Sequence, residues 1–394
     1  MARLWNLVLV IGAFSLMTFG TFLTRGNVLS SVHAFAQSGV GPAYLTFLVL
    51  VMLTGFGAWR MPTLRSPARL DSALSREAAF VGNNALLLAA TGIILLGTVF
   101  PLLVEATTGR QMTVGAPYFR SALAPVFLLL LLLVGTAPLL PWRSTNRARA
   151  LRRLRLPTTA AALVIVASAL GGVRGIEPLA GLGLATLVAV TNGQEIVGGL
   201  LAARRGGGHS VLRALRNGRR RYCGLTVHVG LAVLAAGITT SSSFGQQTEV
   251  TLRSGQSTSF AGYVMRYDGL RTAQEPHRTV LTTPVSVSAD GSSMGVLDRR
   301  LNLYPAASVP IGSPAIRRGV VQDLYARHRA AEQRRLGDVP FYINPGVNWI
   351  WLGGAIMALG GAGAAWPGSG ERRRGQSATS AAVRPREPVE AGSH

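Results

Sequence analysis

Lysine is absent from this chain, and all 39 of its basic side chains are arginines. Acidic side chains number only 16, and charged residues make up 14% of the sequence, against about 25% in ordinary soluble domains. Scarce charge and long apolar runs exclude a soluble globular protein and indicate a membrane protein. The net charge of +23 does not indicate a nucleic-acid partner, because the arginines cluster in loops between apolar runs.

Cysteine occurs once, at Cys223, which excludes an internal disulfide and a thiolate metal cluster. Any cofactor must therefore be held through histidine or by non-covalent burial. Carboxylates are sparse and no phosphate-binding loop is present, so the sequence does not indicate hydrolytic chemistry. The histidines are His33, His209, His228, His277, His328 and His394.

Eight apolar runs approach the roughly 20 residues that a membrane-spanning helix needs. The shortest, 158–173, is separated from the next run by only a few residues. We expect these two runs to form a tight helical hairpin, and a re-entrant helix is the alternative. The eight runs are 5–24, 43–59, 82–104, 121–140, 158–173, 178–201, 223–240 and 347–366.

Arginine asymmetry orients the predicted spans. Alternate loops hold most of the arginines, and cytoplasmic loops carry the excess of basic residues in membrane proteins. With eight spans, both termini are expected in the cytoplasm and His33 on the outer face. The Gly-, Ser- and Arg-rich tail at 367–394 is predicted to be disordered and within reach of anionic membrane lipid.

Residues 245–345 form the one sizeable segment outside the membrane, and the span count places it on the extracytoplasmic side. Alternating patterns at 248–253, 262–267 and 280–288 predict strands, and Asp-Gly turns favour a small antiparallel sheet or barrel. The stretch from Val321 to Arg335 has helical propensity. The predicted domains are a bundle of about seven spans (1–244), this β-rich domain, a final span (346–366) and the tail.

Two histidines and one arginine are candidates for chemistry. His228 lies roughly 10 Å into its span, where an ionisable side chain needs a partner facing the bundle. It could ligate haem iron, or it could make an interhelical hydrogen bond. His33 follows the first span, on the outer surface, where a solvated histidine is the simpler interpretation. Arg25 could pair with an anionic group such as a propionate, or could reach to the interface.

Several words of the sequence occur in an order that resembles the haem lyase CcmF family of cytochrome c maturation. The resemblance covers nearly the whole chain up to about residue 366, with a small departure at Gly26 and Asn27. The words are TFLTRGNVLSSVHAFA at 21–36, SREAAFVGNN at 75–84, LGTVFP at 96–101, VGAPYF at 114–119, PLLPWR at 138–143, VHVG at 227–230 and NWIWLGG at 348–354.

The resemblance implies specific roles. His33 would match an external axial ligand of the haem being attached, and His228 would match one of two membrane histidines that hold a permanent haem b. The family takes haem from the chaperone CcmE and attaches it to the thiols of a Cys-x-x-Cys-His apocytochrome c. Thiol-reducing chaperones would keep that acceptor reduced, and the haem b would reduce the incoming haem.

The chain also departs from the family. The family's Trp-rich WWD segment and its other two histidines have no match here, and full-length members are longer. We therefore expect the C-terminal half of a split haem lyase, incomplete without a partner half, or a truncated gene. Two other functions stay open: a haem permease, and a non-catalytic scaffold whose β-rich domain docks apocytochrome or a chaperone.

Overall fold

The computed structural model describes residues 3–26, 39–59, 72, 75–140, 147–205, 210–305, 310–326 and 338–366. The chain divides into two compact units. The first holds Met1–Leu133 and Leu140–Arg147, and the second holds Val134–Leu139 and Ala148–His394.

The described residues of the first unit form four helices. Phe14 and Phe47 join the first two in an edge-to-face contact with ring centroids 5.9 Å apart. Ser75 caps the third helix by accepting a hydrogen bond from the Ala78 N–H at 3.2 Å, and Gly109 ends it in the left-handed region at φ +66°. The helices are α1 (Arg3–Arg25), α2 (Gly41–Trp59), α3 (Arg76–Thr108) and α4 (Ala116–Thr136), whose last turn belongs to the second unit.

A short 3₁₀ turn at Ala137–Leu139 is followed, among the described residues, by five further helices, which lie in the second unit apart from Arg147. The expected tight hairpin is present, since only residues 171–175 separate α5 from α6 and two glycines there have positive φ. The predicted run 158–173 is the second part of a longer helix. The helices are α5 (Arg147–Leu170), α6 (Ile176–Arg205), α7 (Ser210–Asn217), α8 (Arg219–Phe244) and α9 (Val347–Ala365).

Seven helices of the described residues are long and apolar enough to cross a membrane. They are α1, α3, α4, α5, α6, α8 and α9, and the predicted span 43–59 corresponds to α2, whose apolar part Gly41–Gly55 is shorter. The sequence-based fold class, a multi-pass helical membrane protein with one small β-rich domain, is confirmed.

In the described part of the segment between α8 and α9, ten antiparallel strands form two sheets. The chain enters the first strand directly from α8 and leaves the last strand into α9 at Gly346, so the strands are tied to two membrane helices. The strands are β1 (Gln246–Thr251), β2 (Ser257–Phe260), β3 (Tyr263–Tyr267), β4 (Arg271–Glu275), β5 (Arg278–Ala289), β6 (Ser292–Leu303), β7 (Ile311–Ser313), β8 (Ala315–Arg317), β9 (Gln322–Ala326) and β10 (Asp338–Pro345).

One sheet has the order β1-β10-β9-β8 and the other the order β2-β3-β5-β6-β7, with β4 also paired to β5. Met265, Val285 and Phe341 are fully buried between them. Asp290 and Gly291 turn β5 into β6 with φ of +48° and +75°, as a tight hairpin requires. The three predicted strands are present as β1, β3 and β5.

The helical expectation for Val321–Arg335 is wrong where the structure describes it. Gln322–Ala326 is strand β9, paired with both β8 and β10. Leu324 and Ala326 are buried in the core between the sheets, so packing overrides the local helical propensity. The rest of that stretch, and the tail expected to be disordered, lie outside the described residues.

Candidate functional site

Helices α6 and α8 run antiparallel and in close contact. A Cβ added to Gly181 would lie 2.6 Å from the Thr239 hydroxyl, and one added to Gly199 would lie 2.5 Å from the Tyr222 hydroxyl. Small residues at both ends of the pair thus let the two helices approach closely. This approach brings the polar side chains in the middle of each helix together.

His228 on α8 meets Asn192 on α6 at the centre of this pair. The His228 Nδ1 lies 3.1 Å from the Asn192 Oδ1, and the Asn192 Nδ2 donates to the Val188 carbonyl at 2.8 Å. Asn192 is fully buried and His228 is half-buried. Because the amide oxygen can only accept, the Nδ1 of a neutral His228 must carry the proton and Nε2 keeps its lone pair.

Helix α9 holds the opposite side of α8. A Cβ added to Gly230 would lie 2.8 Å from the Gly353 carbonyl, and one added to Gly237 would lie 2.9 Å from the Ile350 nitrogen. The two backbones are therefore in direct contact, which fixes the helix that carries His228. On α8, one turn before His228, Gly224 has no described atom within 4 Å of an added Cβ.

A charged cluster lies near the same pair of helices. The Glu195 carboxylate accepts from Arg153 of α5 at 3.2 Å and from Arg221 of α8 at 2.7 Å. Both arginine side chains are more than half exposed, so each pair contributes little to stability. Arg221 precedes His228 by seven residues, which places it on the same helix face roughly 10 Å away along the axis.

The three candidates from the sequence have different outcomes. His228 lies in a closely packed helix pair, and Arg25 is the last residue of α1, in the other unit. His33 lies outside the described residues. The sequence also allows an interhelical hydrogen bond for His228, and this hydrogen bond is present. It uses only Nδ1, so the lone pair of Nε2 can still bind iron.

Asn192 is the site residue that sequence reasoning did not assign. Thr191, Asn192 and Glu195 stand out as polar residues within a span, but composition does not show which helix packs against them. Only the α6–α8 pairing identifies the histidine as the partner. Across the described ranges no three His, Cys, Asp or Glu side chains gather into a metal-binding group.

The residues present fit one side of a haem iron. Haem commonly takes an axial imidazole, and ligating histidines usually donate their other ring N–H to a fixed acceptor, as His228 does to Asn192. The glycine one turn away leaves room for a flat group beside the imidazole. His228 would hold such a group through Nε2, and a further ligand would come from another segment.

The fold and this site define a class: a multi-pass membrane protein with a β-sandwich between its last two long helices and a preoriented histidine in its helical core. Residues 243–345 match the family described as the CcmF C-terminal beta-sandwich. The chain belongs to the CcmF family, as the order of its sequence words predicted.

Its relatives are cytochrome c biogenesis proteins. It is 35% identical to CcmF of Pseudomonas aeruginosa, with 92% of this chain and 55% of that protein covered. It is 32% identical to CcmF of Escherichia coli, with 91% and 54% covered. A solved structure of the cytochrome c haem lyase CcmF matches 92% of this chain and 55% of that chain, at a TM-score of 0.71 and 28% identity. The chain spans about half the length of these relatives.

Proposed function

We propose that this chain forms part of a haem lyase of cytochrome c maturation, in a bacterial inner membrane. The observation that carries the proposal is the His228 imidazole, held through Nδ1 by a buried amide in the helical core of a CcmF-family chain. Such a histidine is suited to ligate a permanent haem b through Nε2. When bound, haem b would supply electrons that keep the incoming haem reduced.

The second axial ligand of this haem b would come from the half of the CcmF relatives that this chain does not match. The same part would carry the WWD segment and the other external histidine. We propose that it is supplied as a partner half, which makes the chain a subunit of a split lyase. This chain covers 55% of the first of these relatives.

The β-sandwich would lie on the outer face of the membrane. Helix α8 begins with Arg219, Arg220 and Arg221 and ends at β1, and basic residues concentrate on the cytoplasmic side. Helix α5 begins with an arginine-rich turn and the antiparallel α6 ends with Arg204 and Arg205, in agreement with this orientation. Both termini of the chain would then be cytoplasmic.

The attachment chemistry would take place on that outer face. Haem delivered by the chaperone CcmE would be ligated there by His33, with Arg25 pairing a propionate. Each cysteine thiol of the Cys-x-x-Cys-His apocytochrome c adds across a haem vinyl group. One carbon–sulfur bond forms and the thiol hydrogen passes to the other vinyl carbon. Thiol-reducing chaperones would keep the acceptor cysteines available.

Holocytochrome yield tests the proposal in cells that depend on this chain and its partner half for maturation. His33→Ala and His228→Ala should each lower covalent haem attachment by more than about 10-fold, because each removes an iron ligand. His277→Ala is the matched control, since His277 is exposed in the turn before β5. Normal yield in both ligand variants would refute the lyase role.

A further inference from the structure

We propose that Asn192 is a positioning residue for His228: it fixes the tautomer and ring orientation that leave Nε2 available to iron. The ligand role of His228 rests on the proposed function. The tautomer does not, because it follows from the hydrogen bonds of the helix pair alone. The two can therefore be tested separately.

The Asn192 amide can take only one orientation. Its Nδ2 donates to the Val188 carbonyl at 2.8 Å. In the flipped amide, Oδ1 would face that carbonyl oxygen, and two acceptors would oppose each other in a fully buried place. The cost of an unpaired buried polar group keeps Oδ1 directed at His228.

The turn of α6 that carries this amide is itself held. Val188 is fully buried and Leu187 is nearly so. Both pack against Gly135, where an added Cβ would lie 2.1 Å from the Leu187 Cδ2 and 3.3 Å from the Val188 Cγ2. The Asn192 Oδ1, which accepts from His228, therefore lies on a tightly packed turn of α6 in the second unit.

The Glu195 carboxylate lies one turn from Asn192 on the same face of α6, but it does not take the place of the amide. It accepts hydrogen bonds from Arg153 and Arg221 instead. His228 thus donates to a neutral amide oxygen, a weaker acceptor than a carboxylate. The His228 imidazole would therefore donate less electron density to iron than an imidazole hydrogen-bonded to a carboxylate. The electron density that a ligand donates sets part of the reduction potential of a bound haem.

Three variants separate positioning from packing. Asn192→Leu removes the acceptor at similar volume, and Asn192→Asp keeps an acceptor and strengthens it. Thr191→Val is the control, because Thr191 is equally buried and its hydroxyl has no hydrogen-bond partner among the described residues. Replacing such a hydroxyl by a methyl group should leave the helix pair intact.

The first measurement is ¹⁵N NMR of the full chain labelled at histidine, without haem, with His228→Gln used to assign the signal. We expect the Nδ1–H tautomer in the wild type and in Thr191→Val, and a shift towards Nε2–H in Asn192→Leu. The same tautomer mixture in the wild type and Asn192→Leu would overturn the proposal, whatever haem does.

The second measurement is the potential and retention of b-type haem in the complex with the partner half. Asn192→Asp should lower the potential and Asn192→Leu should raise it, with about 10- to 100-fold weaker haem retention in the Leu variant. A purely structural role would move both variants in the same direction, and that result would contradict positioning. If His228→Ala itself retains the haem, the ligand role fails while the tautomer result stands.

Discussion

At the scale of single residues, Asp268 joins neighbouring strands of the β-sandwich. Its carboxylate accepts from the Arg266 Nε at 2.9 Å and from the Ser286 hydroxyl at 2.5 Å, and its N–H donates to the Pro284 carbonyl at 3.0 Å. Partial burial raises the pKa of Asp268, but the hydrogen bonds from Ser286 and Arg266 outweigh it and hold the pKa below its usual value.

This shift makes the sandwich sensitive to acid. Because the folded pKa lies below the unfolded value of about 3.9, Asp268 stabilises the fold above that pH and loses its contribution as the pH falls through the folded pKa. Asp268→Asn should lower stability at neutral pH and reduce its loss on acidification. Hydrogen exchange of the β3 and β5 amides in the full chain, corrected for intrinsic rates, measures both. An unchanged acid dependence in the variant would contradict this role.

Residue chemistry could be predicted from the sequence only in part. His228 can be identified from the sequence, because an ionisable side chain inside a membrane span is costly unless it has a partner or a function. Its partner Asn192 cannot be identified in this way, because nothing in the linear sequence shows that α6 packs against α8 with this register. The motif around His33 predicts its ligand role, and this role stays a prediction because His33 lies outside the described residues.

At the scale of elements, the glycines of α8 differ sharply in their surroundings. An alanine Cβ at Gly230 would lie 2.8 Å from backbone atoms of α9, which cannot move aside, whereas Gly224 has open space. Gly230→Ala should cost about 1–3 kcal/mol by separating the two helices. Gly224→Ala should be neutral or stabilising by up to about 1 kcal/mol, because alanine is the better helix former.

Thermal unfolding of the full chain in detergent compares these two variants directly. Equal unfolding temperatures would show that α8 and α9 are not in backbone contact. The same experiment in Gly353→Ala checks the contact from the other helix, since an added Cβ there would lie 2.5 Å from the Leu234 nitrogen.

Elements differ in how well the sequence predicts them. Apolar runs give the long helices because spanning length and hydrophobicity are local properties. The strands closed by Asp-Gly turns were predicted for the same reason, as turn chemistry is local. The local sequence of strand β9 favours helix, and the strand forms because these residues are buried between β8 and β10. Helix α7 lies within an arginine-rich loop whose sequence does not predict it.

At the scale of the whole molecule, the chain brings together a membrane helical core with one candidate axial histidine and a β-sandwich tied to α8 and α9. It covers about half of its CcmF relatives. A bis-histidine haem needs two ligands, and in the proposed function His228 would be one of them. We therefore predict that haem b binds only when the chain is joined by the partner half.

The reduced-minus-oxidised absorbance spectrum of the purified complex shows whether His228 holds this haem. We predict b-type bands in the wild type and in His277→Ala, and their loss in His228→Ala with the complex still assembled. Undiminished b-type bands in His228→Ala would contradict the assignment of His228 as an iron ligand.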